Sequence, residues 1–390
     1  VTDAPDLDKI TLDSIGPRAG MKWGTTPQGI IPAWIADMDF PIAPEIQSAL
    51  TSRAANDLGY PTWIDQPPAG PLSEAFAEYM ELKHGWRPDP GHVRSYTDIN
   101  QALQILLHVM TSPGDRVAFH TPGYYPFFET CAEMDRPLLP IPMIPEGDSW
   151  RFDLDRLAAD LADGRCRVLL LVNPHNPTGR VMTRAELTGL AELAERHDLL
   201  VLADEIHADL IHGSAEHIPF ATILPERTVT LTSATKAFNL GGIRCSAIHV
   251  GVPAVRDALD RQPTHIYGAA NLLGVEASVA AWRHGGEWLQ AVRTVLDRNR
   301  HLVAKLLPEG VGYRVPEATY LAWLDFSALN LGEEPADFLL RDAQVRLSPG
   351  PAFGPGGDGF ARLNFATSGP ILEQMLNRLA NAITNRVKQV

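Results

Sequence analysis

Lys236 is one of only six lysines in a chain of 390 residues. It lies in Ser233-Ala234-Thr235-Lys236-Ala237-Phe238-Asn239-Leu240-Gly241-Gly242-Ile243-Arg244, directly after the strand-like run Val229-Thr230-Leu231-Thr232. The hydroxyls of Ser233 and Thr235 and the cation of Arg244 suit a phosphate lying beside that amine. An amine next to a bound phosphate suggests a Schiff base to pyridoxal 5′-phosphate (PLP), a cofactor that acts as an electron sink. A lysine at a strand end is as often a snorkelling surface charge, so the decision falls to other residues. Two more apolar runs end in polar clusters. Val168–Val172 leads into Asn173-Pro174-His175-Asn176-Pro177-Thr178-Gly179, and Leu199–Ala203 leads into Asp204-Glu205-Ile206-His207. Ligands of open parallel sheets bind at the carboxyl ends of strands. These three ends deliver an amide, a carboxylate and an amine, the groups a pyridoxal ring requires.

Such side chains need a sheet to hold them. Val168–Val172 is continuously apolar, as a buried parallel strand must be. Arg116–Phe119, Leu199–Ala203, Val229–Thr232 and Ser246–Val250 are expected to be strands, and Leu103–Met110 a helix. Thr183-Arg184-Ala185-Glu186 is a capping box that opens a helix running to about His197. Strands alternating with helices imply an α/β fold with a largely parallel sheet. Helical stretches from Asn271 to Leu307 lead to a strand at Tyr320–Phe326, a loop at Ser348–Gly359, a strand at Arg362–Ala366 and an amphipathic closing helix at Pro370–Val387. The expected organisation is an arm rich in Pro and Gly (1–50) associated with the small domain, a large domain (51–308) and a smaller α/β C-terminal domain (309–390). The glycines from Gly350 to Gly359 are broken by prolines and follow no suitable βα unit, which argues against a nicotinamide site.

Composition narrows the class. A hydrophobic content of 45% with 21% charged residues is that of a globular protein, and no apolar run is long enough for a membrane span. The polar start from Val1 to Lys9 resembles neither a signal nor a transit peptide. Cys131, Cys166 and Cys245 lie far apart without CxxC spacing, which argues against a zinc site or disulfide framework and fits a reducing cytoplasm. A formal net charge of −14 argues against nucleic-acid binding. It leaves room for a local arginine and a helix start to hold a phosphate.

Taken together, the motifs resemble the fold-type I PLP enzymes of the aspartate aminotransferase superfamily, and more narrowly the cystathionine β-lyase-like C–S lyases of the MalY/PatB group. The resemblance spans nearly the whole chain. It includes Trp34-Ile35-Ala36-Asp37-Met38-Asp39-Phe40, Gly59-Tyr60, Asn173–Gly179, Asp204–His207, the lysine window and Arg362-Leu363-Asn364-Phe365-Ala366-Thr367-Ser368. It implies a three-layer sandwich around a mostly parallel sheet, with PLP bound to Lys236. By the same resemblance Asp204 pairs with the pyridine nitrogen, Asn176 donates to the phenolic oxygen, and His207 stands near that oxygen or is structural. Tyr124 stacks on the ring, unless Tyr125 takes that place. Ser233, Thr235 and Arg244 bind the phosphate, joined by Tyr60 from the second subunit of a homodimer. Arg362 holds the substrate α-carboxylate as a bidentate pair. The substrate side chain is expected to meet the arm from Asp37 to Phe40 and residues around Tyr60 and Trp63. One turn departs from the family: Asp98-Ile99-Asn100-Gln101-Ala102 stands where relatives carry small or simple residues. Backbone N–H groups at Ile99, Asn100 and Gln101 would still cradle phosphate, with the bulkier side chains adding contacts or reshaping the pocket.

The activity this resemblance implies is α,β-elimination from a cysteine S-conjugate, giving thiol, pyruvate and ammonia, with Lys236 as the base on Cα–H. Transamination uses the same residues, and a decarboxylating oxidative deamination, as in divergent antibiotic-pathway members, also begins on this scaffold. A regulatory binding protein is the non-enzymatic alternative.

Overall fold

The computed structural model describes residues 6–15, 18–63, 69–263 and 265–388, so residues 1–5 of the expected arm and 64–68 of the expected large domain lie outside it. A seven-stranded sheet organises the first part of the chain. Its strands are β1 (Val93–Tyr96), β2 (Arg116–Thr121), β3 (Leu138–Pro142), β4 (Cys166–Val172), β5 (Leu200–Asp204), β6 (Thr228–Thr232) and β7 (Ser246–Val250). They are arranged β1-β7-β6-β5-β4-β2-β3. Every strand is parallel except β7, which runs antiparallel to both of its neighbours. The side-chain period of two sends alternate residues to opposite faces. Leu169 and Leu171 of β4 join one core, while Val168, Leu170 and Val172 join another.

Helices cover both faces. On one lie α1 (Pro44–Asn56), α2 (Pro71–His84) and, later in the chain, the segment Leu272–His284, which packs against both. The other face carries α3 (Ile99–Met110) and α4 (Tyr125–Glu133), with Pro253–Asp260 beside α3. The expected capping box is present at α5 (Arg184–Arg196): Glu186 N–H donates to Thr183 Oγ1 at 3.3 Å, and Thr183 N–H donates back to Glu186 Oε2 at 2.7 Å.

The C-terminal part is a four-stranded antiparallel sheet of Gly312–Tyr313, Leu321–Asp325, Phe360–Asn364 and Ser348–Pro349, in that spatial order. The helices Gly286–Leu306 and Gly369–Val387 pack together beside it. Two expectations shift here. The Arg362–Ala366 strand begins two residues earlier, at Phe360, and ends at Asn364, because Phe360 and Ala361 complete the ladder with Asp325 and Leu324. The expected loop Ser348–Gly359 is partly regular. Ser348 and Pro349 pair with Arg362 and Ala361, and Gly350–Phe353 forms a 3₁₀ turn. Its backbone folds so tightly that a Cβ on Gly350 would stand 2.1 Å from the Gly357 carbonyl oxygen. In the central sheet, Arg116–Phe119 extends to Thr121 because His120 and Thr121, though polar, are buried.

The N-terminal arm attaches to this second sheet region, with Ile31–Pro32 pairing in parallel with Val345–Arg346. Asn364 clamps the segment that follows: its Nδ2 donates to the Ile35 carbonyl at 2.7 Å and the Asp37 carbonyl at 2.6 Å, and its Oδ1 accepts Ala366 N–H at 2.7 Å. Replacing a buried side chain with three such bonds leaves several polar groups without partners. Asn364→Ala is therefore expected to cost about 2–4 kcal/mol. Urea unfolding would measure that loss, and limited proteolysis should show earlier cleavage within residues 30–40.

Candidate active site at the strand ends

The carboxyl ends of β4, β5 and β6 carry Asn176, Asp204 and Lys236 into one region beside Arg362 of Phe360–Asn364. Lys236 Nζ donates to the Ala36 carbonyl at 3.0 Å. Burial lowers the pKa of this amine; Asp37 and Asp204 oppose that shift, while Arg362 and Arg244 add to it. Asp204 is buried, and its Oδ1 accepts Ile206 N–H at 3.1 Å. Burial pushes its carboxyl up to about 7, with Glu205 adding to the rise and Ile206 N–H and Lys236 opposing it. Such a carboxylate is matched to a buried cationic partner.

Arg362, although on a strand of the second sheet, is only 3% exposed. Its Nη1 donates to Asn176 Oδ1 at 3.0 Å, its Nη2 to the Trp34 carbonyl at 3.0 Å, and its guanidinium lies 4.8 Å from the Phe353 ring centroid. Burial lowers even this guanidinium, to about 10. His207 is buried and its Nδ1 has no hydrogen-bond partner. Burial, with Lys236 and Arg362 nearby, lowers it to about 3, so the imidazole is neutral. Tyr124 is half-buried at the start of α4, with its ring 5.2 Å from Phe127 and 5.4 Å from Tyr125. Burial pushes its phenol up to about 12.

Of the expected phosphate residues, Arg244 meets the start of α3. Asp98 caps this helix through Gln101 N–H at 2.8 Å, and its other carboxylate oxygen pairs with Arg244, which adopts a left-handed φ of 59°. Arg244 thus has an intramolecular anion as its partner. Ser233 Oγ donates to the Cys245 carbonyl at 2.6 Å and lies 2.9 Å from Thr235 Oγ1. Ile99 is buried and Asn100 half-buried. The Gln101 side chain ties up local backbone: Oε1 accepts Thr97 N–H at 2.9 Å and Nε2 donates to the Tyr267 carbonyl at 3.0 Å. Tyr60 is 92% exposed.

The arm completes the enclosure through its backbone. Every carbonyl from Trp34 to Phe40 accepts a side-chain hydrogen bond. The donors are Arg362 and Ser348 to Trp34, Asn364 to Ile35 and Asp37, Lys236 and Tyr320 to Ala36, Lys22 to Asp37, Asn239 to Met38 and Phe40, and Arg18 to Asp39. Sequence reasoning did not single out Asn364, Ser348, Tyr320 or the Asp98 carboxylate. A usable signal existed for Asn364, which shares a strand face with Arg362 two positions away. Tyr320, just before an apolar strand, carries no such mark. Among the described residues no cluster of three or more His, Cys, Asp or Glu could hold a metal ion, and no helix is long and apolar enough to cross a membrane.

The sequence pattern of the aminotransferase class I and II family matches residues 59–383. The chain is 33% identical to the cystathionine beta-lyase PatB of Bacillus subtilis strain 168, covering 94% of this chain and 95% of that protein. It is 32% identical to the protein MalY of Escherichia coli strain K12, over 91% and 92% of the two chains. A PLP-bound C–S lyase from Staphylococcus hominis superposes with a TM-score of 0.89 at 28% identity, covering 97% of this chain and 99% of that one.

Asp204 provides a test that needs no turnover. Its folded pKa lies above the ordinary carboxyl value of 3.8, so its contribution to stability is fully present below that value and is lost as pH rises through about 7. In cofactor-free protein, Asp204→Asn should raise the melting temperature by an amount that grows from pH 4 to pH 8. Calorimetry across that range checks this; a difference independent of pH would contradict it.

Proposed function

Because this chain belongs to the aminotransferase class I and II family, we propose that it is a PLP-dependent carbon–sulfur lyase that cleaves a cysteine S-conjugate to a thiol, pyruvate and ammonia. The observation that carries this reading is the burial, in one region, of an amine and a raised carboxylate from two strand ends of the central sheet and an arginine from the second sheet. The similarity to PatB and to the Staphylococcus hominis C–S lyase supports the choice of elimination.

The residues fit the cofactor. Asp204, buried and raised, has the charge a protonated pyridine nitrogen needs. Asn176 engages Arg362 through Oδ1, which leaves its Nδ2 to donate to a phenolic oxygen. Tyr124 would flank the ring, and neutral His207 would stand beside it. Ser233, Thr235, Arg244 and the N–H groups of Ile99 and Asn100 would hold the phosphate, for which Arg244 would leave Asp98. Tyr60 faces solvent, so in a homodimer the partner subunit's Tyr60 would reach the phosphate. Bound there through Lys236, pyridoxal phosphate supplies a sink for the electron pair left when the Cα–H bond breaks.

The chain's own residues then act on the substrate. Arg362 takes the α-carboxylate, already oriented by Asn176, the Trp34 carbonyl and the Phe353 ring. Asp37 borders the same space on the arm and raises the basicity of Lys236. Once the substrate amine has displaced it, Nζ of Lys236, its pKa depressed by burial, is unprotonated over more of the working pH range than an exposed lysine and accepts the Cα proton. The Cβ–S bond breaks, the thiolate leaves, and hydrolysis gives pyruvate and ammonia.

The test is to incubate the PLP-loaded protein with cystathionine and a series of S-alkyl cysteines, measuring pyruvate and free thiol together. Equal amounts of both are expected from at least one conjugate; their absence across the series would overturn the proposal. Lys236→Ala should abolish turnover. Arg362→Lys should raise KM strongly by removing the bidentate grip, with kcat/KM falling by about a hundredfold.

A further inference from the structure

The Ala36 carbonyl receives two donors, Lys236 Nζ at 3.0 Å and the Tyr320 hydroxyl at 2.9 Å. The oxygen cannot drift, because Asn364 fixes the carbonyls of Ile35 and Asp37 on either side of it. A carbonyl oxygen has two lone pairs, so these two hydrogen bonds use its capacity in full. Tyr320 is 1% exposed and its ring edge faces His207 at 6.3 Å between centroids. Burial raises the phenol far above its ordinary value, so the hydroxyl keeps its proton and remains a donor.

We propose that Tyr320 is a positioning residue for Lys236: by taking one lone pair of the Ala36 carbonyl, it aims that oxygen at Nζ and limits how tightly the oxygen can hold the ammonium. The inference deepens the reading of Lys236 as the base and rests on it. When the amine is free of the cofactor, the Ala36 oxygen accepts one of its N–H groups and so fixes the direction of the nitrogen lone pair. After Nζ has gained the Cα proton, an oxygen already sharing its density with Tyr320 holds the ammonium less tightly than one bonded to Nζ alone, so Nζ gives up a proton more readily. The other charged and titratable groups facing the amine are Asp37 on the arm, Asp204 after β5, Arg362 on Phe360–Asn364 and Arg244 on the β6–β7 loop, with His207 facing both Lys236 and Tyr320. None of these donates to the Ala36 carbonyl.

Tyr320→Phe removes the hydroxyl and keeps the ring, so a purely space-filling role would be preserved. In cofactor-free protein carrying lysine ¹³C-labelled at Cε and otherwise unmodified, the Lys236 resonance, assigned by its loss in Lys236→Ala, can be titrated by NMR. Tyr320→Phe should raise its pKa by about half a unit to one unit. In the loaded enzyme the alkaline plateau of the pH–kcat profile should move the same way, with kcat lower by about fivefold to tenfold and KM little changed. Should Tyr320→Phe not fold, 3-fluorotyrosine at position 320 makes a stronger donor and should shift the Lys236 resonance in the opposite direction. An unmoved Lys236 titration in a folded variant would overturn the proposal. Failure of the wild-type protein to cleave any conjugate would instead overturn the lyase reading, and the cofactor-free titration would still decide the role of Tyr320.

Discussion

The backbone carbonyls from Trp34 to Phe40 must all be hydrogen-bonded, yet this stretch lies in no strand or helix. Buried carbonyls without partners are costly, and the protein meets the requirement with side chains from the second sheet, from the connection that carries Lys236 and Asn239, and from Lys22 and Arg18. Several of those donors are the site itself: Lys236, Arg362 and Tyr320 all point at the arm. Folding of the arm and orientation of the reactive groups are therefore one event. A change that frees the arm also removes the acceptors that aim the lysine and the arginine.

Charge is arranged around that seam with little compensation. Arg362 and Lys236 are both buried, and Arg362 lowers the affinity of Lys236 for its proton, while Asp204 is raised by burial. The cost is offset by Asn176, the arm carbonyls and the Phe353 ring, which give Arg362 partners at defined angles. At the other end of the site Asp98 supplies an internal counter-ion to Arg244 and caps α3 with the same carboxylate. On the proposed reading, a phosphate bound there would compete with that carboxylate, and its affinity would depend on how easily Arg244 turns away.

Much of this was legible from residue order. β4 and β5 are marked by apolar runs that end in Asn and Asp, because a parallel strand buried on both faces has few polar positions until it ends, while β6 alternates Val and Leu with threonines before the segment that holds Lys236. The capping box at Thr183 was equally plain, since both partners lie within four residues. Strand ends that carry buried polar residues, such as His120 and Thr121, were cut short for the same reason that the apolar runs were easy to see. The pairing of Arg362 with Asn176, 186 positions apart, leaves no local trace. Nor does the work of the arm, which is done by carbonyls that every residue possesses. The partnership of Asp98 with Arg244 was hidden because each side chain had a sufficient local explanation, as a helix cap and as an anion ligand.

The one strand that runs against the others has a further consequence. Since β7 is antiparallel to β6, the thirteen-residue connection that carries Lys236 leaves the sheet and returns to it at the same end, between Thr232 and Ser246. Its two roots are tied by the Ser233 hydroxyl and the Cys245 carbonyl at 2.6 Å. The lysine thus rides on a closed ring whose base is pinned and whose perimeter is free of the spacing that a helical crossover imposes. On the far side of that ring a Cβ at Gly242 would meet open space, so a side chain added there disturbs no strand. The fold has room there to change what surrounds the amine while leaving the amine where it is.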